Sequence, residues 1–228
     1  MTCLQGMIFD FDGTLAELNI DFQFMKRQIA ELASLFLDSE VRPNSRPALE
    51  WIEELSARMR QTLSEADVLE FQSRCRFRII ALEMEAAEKG ALFPFSARLL
   101  AELRDMGMRT GIITRNCTAA VKAVFPDVHL ACDVFLARDS VSRVKPHPEH
   151  ALKAAERLRI APEQCILVGD HHLDIQCAKS AGMISAGVGT GSFNLEELQQ
   201  SGPDVVAADA EALVALLAGK EQMPCGRG

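Results

Sequence analysis

The chain has 228 residues, of which 48% are hydrophobic and 25% charged, with a formal charge of −8 and a pI near 5.2. This length suits one α/β domain with a substantial insertion, or two small domains. The acidic balance argues against nucleic acid or an anionic membrane surface as the main partner, and no apolar run approaches the length of a membrane span.

The N-terminus and the cysteines indicate the compartment. The N-terminus enters an apolar strand without a basic leader before it. The seven cysteines are scattered and include no CxxC pair. We therefore expect a cytoplasmic protein whose thiols are reduced.

The first predicted strand lies in the stretch MIFDFDGTL and ends on two aspartates. Its short apolar run is typical of a buried strand in a parallel sheet and consists of Met7, Ile8, Phe9 and Phe11. Strand alternation predicts that Asp10 and Asp12 lie on the same side. Two carboxylates at a strand end repel each other unless a cation lies between them or one keeps its proton. This pair indicates a site for a hard ion, with Mg²⁺ the natural candidate.

Three amphipathic helices are predicted next, with no strand between them. Apolar residues recur at helical spacing over residues 22–36, 52–63 and 68–86. Ser64 is a predicted cap of the third helix, and Gly90 its end. These helices predict a small helical bundle inserted directly after the first strand, which we assign to residues 17–90.

Strands and helices alternate from residue 91 onward. The predicted strands cover residues 109–114, 133–136, 165–168, 184–188 and, as a short edge strand, 204–206. The predicted helices cover residues 96–106, 118–124, 148–158 and 173–181, followed by a surface helix with a capping box of Asn194 and Glu197. This alternation predicts a parallel sheet with helices on both faces. We assign residues 1–16 and 91–220 to this core and expect residues 221–228 to be a disordered tail.

Polar residues follow four of the apolar strands. Beyond the first pair of aspartates they are Thr114, Arg115 and Asn116, then Lys145, then Asp170 with Asp174 one helical turn further on. In open α/β sheets, ligands bind beyond the carboxyl ends of the strands. We therefore expect one site that combines acids for a metal with a hydroxyl and a cation for an anion.

The segments that carry these residues resemble the motifs of the haloacid dehalogenase superfamily of hydrolases, and within it the phosphoglycolate phosphatase group. The motifs are DFDGTL at residues 10–15, GIITRN at 111–116, VKPHP at 144–148 and VGDHHLDIQCAKSAG at 168–182. The resemblance implies an α/β fold with a Rossmann-like parallel sheet core and a small all-helical cap domain inserted after the first strand.

The resemblance also implies roles for the acidic residues. Asp10 would be the nucleophile, and Asp12 the general acid and base, with its backbone carbonyl as a metal ligand. Asp170 would complete the Mg²⁺ site with Asp10 and Asp12. Asp174 would either bind the ion or orient its waters.

The expected site also contains residues that bind phosphate and two adjacent histidines. A phosphate would be bound by the Thr114 hydroxyl, by the N–H groups of Arg115 and Asn116, and by Lys145, which would also be catalytic. His171 stands where family members often carry a small hydroxyl residue. We expect its ring and that of His172 to point apart, as adjacent residues do on a helix or strand, with His171 beside the metal ligands and not among them.

The expected function is a Mg²⁺-dependent phosphatase that acts on a small phosphorylated metabolite such as phosphoglycolate, through an aspartyl-phosphate intermediate. Two alternatives stay open, a sugar phosphomutase of the same superfamily and a non-catalytic regulatory protein with the same fold. The run at residues 187–192 resembles a dinucleotide fingerprint only superficially, because its last glycine is missing. The sequence leaves the physiological substrate and the oligomeric state open.

Overall fold

The computed structural model describes residues 4–219, and the chain divides into two compact units. One unit comprises the described residues up to Leu18 and from Ala87 onward, and the other comprises residues 19–86. Among the described residues, none of the helices has the length and apolar character needed to span a bilayer. The predicted tail at 221–228 lies outside the described residues.

The first strand and the three predicted helices are present. The strand β1 is Gly6–Phe9, and a short strand β2, Ala16–Glu17, follows. The helices are α1 (Phe22–Leu37), α2 (Ala48–Met59) and α3 (Glu65–Lys89).

The helical unit has its own apolar core. The buried side chains come from all three helices and include Met25, Ile29, Trp51, Leu55, Met59 and Phe71. Ser64 caps α3 as predicted, because its hydroxyl accepts the N–H of Asp67 at 3.2 Å while the Asp67 carboxylate accepts the N–H of Ser64 at 3.2 Å. Helix periodicity and cap chemistry therefore suffice to explain this unit.

The other unit contains a six-stranded sheet in which every pair is parallel. Besides β1, the strands of this sheet are β4 (Arg109–Ile113), β5 (Val134–Leu136), β6 (Cys165–Gly169), β7 (Ile184–Val188) and β8 (Val205–Ala207). A short strand β3 (Ala91–Leu92) lies outside the sheet and pairs antiparallel with β2. The spatial order is β5-β4-β1-β6-β7-β8. The predicted α/β fold with a parallel sheet is confirmed. β1 lies between β4 and β6, which lead to the predicted site residues Thr114 and Asp170.

Helices connect the strands. They are α4 (Ser96–Asp105), α5 (Thr118–Val124), α6 (Val128–Ala131), α7 (Glu149–Leu158), α8 (His172–Ser180), α9 (Leu195–Gln200) and α10 (Ala210–Gly219). The predicted capping box of Asn194 and Glu197 is present at α9. The helices α6 and α10 and the β2–β3 pair were not predicted.

One of two predicted helix starts is shifted by one residue. α4 begins at Ser96 as predicted, and the Ser96 hydroxyl donates to the carbonyl of Leu15 at 2.6 Å and so binds the chain after β1. Pro148 precedes α7, which begins at Glu149. Helix ends commonly differ by one or two residues from their predicted bounds.

Candidate active site

The turn after β1 carries the first two predicted site residues. β1 ends at Phe9, so the alternation that predicted Asp10 and Asp12 on one side does not reach Asp12. Instead the chain closes a tight turn in which the N–H groups of Leu15 and Ala16 both donate to the carbonyl of Phe11 at 2.9 Å. The Asp12 carboxylate accepts the N–H of Leu18 at 3.0 Å. The turn, and not the pleat of a strand, therefore orients the two acids.

Lys145 is buried between two carboxylates. Its Nζ lies 2.8 Å from Oδ1 of Asp10 and 2.6 Å from Oδ1 of Asp174, and its side chain is 1% exposed. The guanidinium of Arg115 donates to the backbone carbonyl of Lys145, and Arg138 in turn donates to the carbonyl of Arg115 at 2.7 Å. The lysine is thereby held from both its ammonium and its backbone.

Three acids form a compact cluster beside this lysine. A carboxylate oxygen from each of Asp10, Asp170 and Asp174 lies within 4.8 Å of the others. Asp170 is 3% exposed and the Asp10 side chain 13% exposed. The structure thus brings together four predicted site residues that come from three separate segments.

The electrostatics of the cluster follow from burial and like charge. Burial raises the pKa of Asp10 well above its ordinary value, and the charges of Asp174 and Asp170 add to the rise against the opposing ammonium. Burial and Asp174 raise the pKa of Asp170 to about 7. Burial alone would lower the pKa of Lys145, but Asp10 and Asp174 raise it above its ordinary value. The lysine therefore stays charged while the acids favour protons or another cation.

The donor set fits a hard divalent cation. If all three carboxyl groups of the cluster lost their protons beside one ammonium, an excess of two negative charges would lie in a buried space, and a divalent cation would balance it. Both oxygens of Asp174 are engaged, one by Lys145 and the other by the N–H of His171 at 3.1 Å. Asp10 and Asp170 each keep one carboxylate oxygen without a hydrogen bond to any described residue. Oxygen ligands of this kind are those that Mg²⁺ prefers.

The segment after β4 is placed beside this cluster by sheet order. The Thr114 hydroxyl donates to Oδ1 of Asn116 at 2.9 Å and accepts the N–H of Asn116 at 3.2 Å. The N–H of Thr114 donates to the carbonyl of Leu136 at 3.1 Å. The same carbonyl accepts Nε2–H of the buried His150 at 3.0 Å. The end of β5 is therefore fixed by two donors, one from the predicted phosphate-binding residue Thr114 and one from His150.

The two histidines after Asp170 do not point apart. Their ring centroids are 4.1 Å apart, and both rings contact Phe193 edge to face. The prediction was wrong because His171 has an extended backbone at the N-cap of α8 while His172 is the first helical residue, so neither periodicity applies across the pair. Nδ1 of His171 accepts the N–H of Leu173 at 3.1 Å, and burial lowers the pKa of His171 to about 4. His171 is thus a neutral cap that also donates its N–H to Asp174.

Comparison with known proteins decides the family. A family model described as haloacid dehalogenase-like hydrolase matches residues 7–188, which contain all four motifs. The chain belongs to the haloacid dehalogenase-like hydrolase family. The resemblance drawn from the motifs is confirmed.

Curated relatives are similar over most of the chain. The phosphoglycolate phosphatase of Shigella dysenteriae is 32% identical over 222 residues, covering 89% of this chain and 88% of the relative. That of Salmonella typhimurium has the same identity and coverage. This haloacid dehalogenase-like hydrolase thus resembles the phosphoglycolate phosphatase group.

Solved structures of the family share the fold. A hydrolase from Pseudomonas syringae has a TM-score of 0.69 at 20% identity, covering 94% of this chain and 98% of that one. A family hydrolase from Deinococcus radiodurans, solved with bound phosphate and sodium, has a TM-score of 0.63 at 19% identity, covering 98% and 99%. At such identities the comparison shows the fold alone.

One segment of this haloacid dehalogenase-like hydrolase contacts the site although the sequence analysis gave it no role. It is the loop after β7, where the N–H of Ser192 donates to Oδ2 of Asp170 at 2.7 Å and the Thr190 hydroxyl donates to the carbonyl of Gly13 at 2.6 Å. The available signal was a glycine-rich run that follows a buried strand at the same edge of the sheet. Its superficial likeness to a dinucleotide fingerprint does not predict its contact with Asp170.

Proposed function

We propose that this hydrolase is a Mg²⁺-dependent phosphatase that cleaves a small phosphate ester of the phosphoglycolate type through an aspartyl-phosphate intermediate. The observation that carries the proposal is the ammonium of Lys145, buried between Asp10 and Asp174 beside Asp170. A cation in that position suits a nucleophilic carboxylate that must meet a phosphate dianion. The phosphoglycolate phosphatases at 31–32% identity support the same reaction class.

Asp10 and Asp12 carry the covalent chemistry in this proposal. A carboxylate oxygen of Asp10 attacks phosphorus while the bond from phosphorus to the leaving oxygen breaks, and Asp12 gives its proton to that oxygen. Water then attacks the phosphorus of the aspartyl phosphate while the bond from phosphorus to the Asp10 oxygen breaks, and Asp12 takes a proton from the water. The products are an alcohol and inorganic phosphate, with both acids restored.

Lys145, Thr114 and the following backbone hold the phosphoryl group. Lys145 acts as a point charge that neutralises charge between Asp10 and the phosphoryl oxygens. The Thr114 hydroxyl, now paired with Asn116, is the predicted donor to a phosphoryl oxygen. The N–H groups of Arg115 and Asn116 complete the anion site just before α5.

Asp10, Asp170 and the backbone carbonyl of Asp12 would hold Mg²⁺. When bound, the ion supplies positive charge that offsets the repulsion between the nucleophile and the substrate dianion. Asp174 keeps Lys145 in place and caps α8, so its role in this proposal is to orient the lysine.

We further propose that residues 17–90 form the cap domain, which selects the substrate, and that residues 1–16 and 91–220 form the catalytic core. The partner is then a small-molecule phosphate ester, and the setting is the cytoplasm, in agreement with the free and buried thiols of Cys75, Cys132, Cys165 and Cys177. Neither nucleic acid nor a membrane surface has a part in this function.

The test is release of inorganic phosphate from a panel of phosphorylated metabolites that includes phosphoglycolate, with and without Mg²⁺. We expect Mg²⁺-dependent release from at least one ester and loss of turnover in Asp10→Asn with the far-UV circular dichroism unchanged. The control is Asp105→Asn, because Asp105 is an exposed acid at the end of α4. Substantial phosphate release by Asp10→Asn would remove the nucleophile assignment, and phosphoryl transfer to a sugar without phosphate release would favour the mutase.

A further inference from the structure

The loop after β7 contacts two separate parts of the site through two residues that flank a single glycine. Ser192 donates its N–H to Oδ2 of Asp170 at 2.7 Å. Thr190 donates its hydroxyl to the carbonyl of Gly13 at 2.6 Å. The loop therefore joins the turn after β1 to the acid that follows β6, although β7 pairs with β6 and not with β1.

Gly191, between these two residues, leaves no space for a side chain. A Cβ at this position would lie 2.1 Å from Oδ2 of Asp170 and 2.7 Å from the Cα of Gly13. Gly13 has a φ of +80°, and a Cβ there would lie 2.5 Å from the carboxylate of Asp170. The Asp170 carboxylate is thus enclosed between two backbone segments that approach it closely.

The enclosure explains how a carboxylate at the end of a strand is kept in one orientation. Asp170 is 3% exposed, whereas Gly191 and Ser192 are exposed on its outer side. Oδ2 of Asp170 accepts the Ser192 N–H, and one oxygen of the same carboxylate lies within 4.8 Å of an oxygen of Asp10 and of Asp174. Groups that orient a metal ligand in this way affect metal affinity or activity by about 10- to 100-fold when they are removed.

We propose that Thr190, Gly191 and Ser192 form a positioning element that aims the carboxylate of Asp170 at the divalent cation and fixes the turn after β1 that carries the nucleophile. The proposal rests on the proposed metal site. It adds the loop after β7 to the residues on which activity depends, and it assigns these three residues no contact with the reacting atoms.

Two variants test the element by different means. Gly191→Ala introduces the Cβ that the backbone of Gly13 excludes. Thr190→Val removes the hydroxyl donor with little change of shape, and Thr190→Ser restores a hydroxyl. The controls are Gly219→Ala, where a Cβ would meet nothing within 4 Å, and Thr110→Val, where the buried hydroxyl has no hydrogen-bond partner among the described residues.

The first readout needs no substrate. The melting temperature of each purified full-length variant is measured over a MgCl₂ series, because an ion that binds only the folded state stabilises it by RT ln(1 + [Mg²⁺]/Kd). A fit of the series gives the MgCl₂ midpoint, which is the concentration equal to Kd, at which half of the folded protein holds the ion. We expect this midpoint to increase at least tenfold in Gly191→Ala and Thr190→Val. Thr190→Ser and both controls should stay within about threefold of the wild type. A purely structural loop would lower the melting temperature without moving this midpoint.

The second readout separates this inference from the proposed function. With an ester that the wild type hydrolyses, we expect kcat to fall about tenfold or more in both variants while KM for the ester changes less. Wild-type MgCl₂ midpoints in Gly191→Ala and Thr190→Val would overturn the positioning element and leave the phosphatase assignment intact. A wild type with neither a MgCl₂-dependent rise nor phosphate release would overturn both.

Discussion

Replacing Asp170 with asparagine should stabilise the protein when no divalent cation is present. Asp170 is buried beside Asp10 and Asp174, and burial with the Asp174 charge raises its pKa from 3.8 to about 7. Each unit of pKa corresponds to about 1.4 kcal/mol, so this rise corresponds to about 4 kcal/mol of unfavourable free energy once the group is ionised. Asparagine has nearly the same shape and keeps an acceptor for the N–H of Ser192.

The sign and the pH range follow from linkage. Because the folded-state pKa is the higher one, Asp170 binds more protons in the folded protein than in the unfolded chain between pH 3.8 and about 7, and its contribution to stability falls as pH rises through that range. The advantage of Asp170→Asn should therefore be about 2 kcal/mol at pH 5 and about 4 kcal/mol at pH 8, where it levels off. Mg²⁺ should reduce the advantage, since the ion stabilises the carboxylate that the variant lacks.

Urea unfolding of both proteins at pH 5 and pH 8, in the presence of a chelator, measures the difference. Asp204→Asn is the control, because this substitution should lower the free energy of unfolding where Asp170→Asn raises it. Asp204 accepts the N–H and hydroxyl of Ser185 at 2.8 and 2.6 Å, which lowers its pKa, so its contribution is present above pH 3.8 and is lost as pH falls. If Asp170→Asn is less stable than the wild type at both pH values, with a gap independent of pH, burial and the Asp174 charge do not raise the pKa of Asp170.

Three further variants probe the groups around the cluster. Lys145→Met removes the ammonium shared by Asp10 and Asp174 and should lower kcat for phosphate release about 10²- to 10³-fold with the fold retained. A loss below tenfold would contradict the proposed role of the Lys145 charge in stabilising the transferred phosphoryl group. Asp174→Asn keeps an acceptor for the N–H of His171, whereas Asp174→Ala removes it. In urea unfolding, Asp174→Ala should therefore be less stable than Asp174→Asn by about 1 kcal/mol. Equal stability of the two variants would argue against a capping role of Asp174 at α8. His150→Phe leaves the Leu136 carbonyl with one donor fewer and should cost about 1–3 kcal/mol at pH 8, more than His150→Gln. Burial lowers the pKa of His150 to about 3, so the contribution of His150 to stability should fall as pH drops below 6.5. The stability difference between the wild type and His150→Phe, measured by urea unfolding over a pH series, should therefore shrink over that range.

Local chemistry explains why most elements were predicted. Hydrophobic periodicity predicted α5 and β7 to the residue, and the capping boxes at Ser64 and Asn194 are those that the residue types indicate. α6, with only four residues, is too short to show a period. Errors arose where two residues belong to different elements, as at His171 and His172, because a single periodicity cannot describe both.

The sequence by itself determined the alternation of strands and helices, and with it which polar residues stand at the carboxyl ends of parallel strands. Only the tertiary structure decided that Asp174 joins Asp10 and Asp170 around Lys145 while the Asp12 carboxylate binds the N–H of Leu18. It also decided that Gly191 covers Asp170. The physical reason is that periodicity and caps act over a few residues, whereas these contacts join residues as far apart as Gly13 and Thr190, and such contacts exist only once the sheet has brought its strands together.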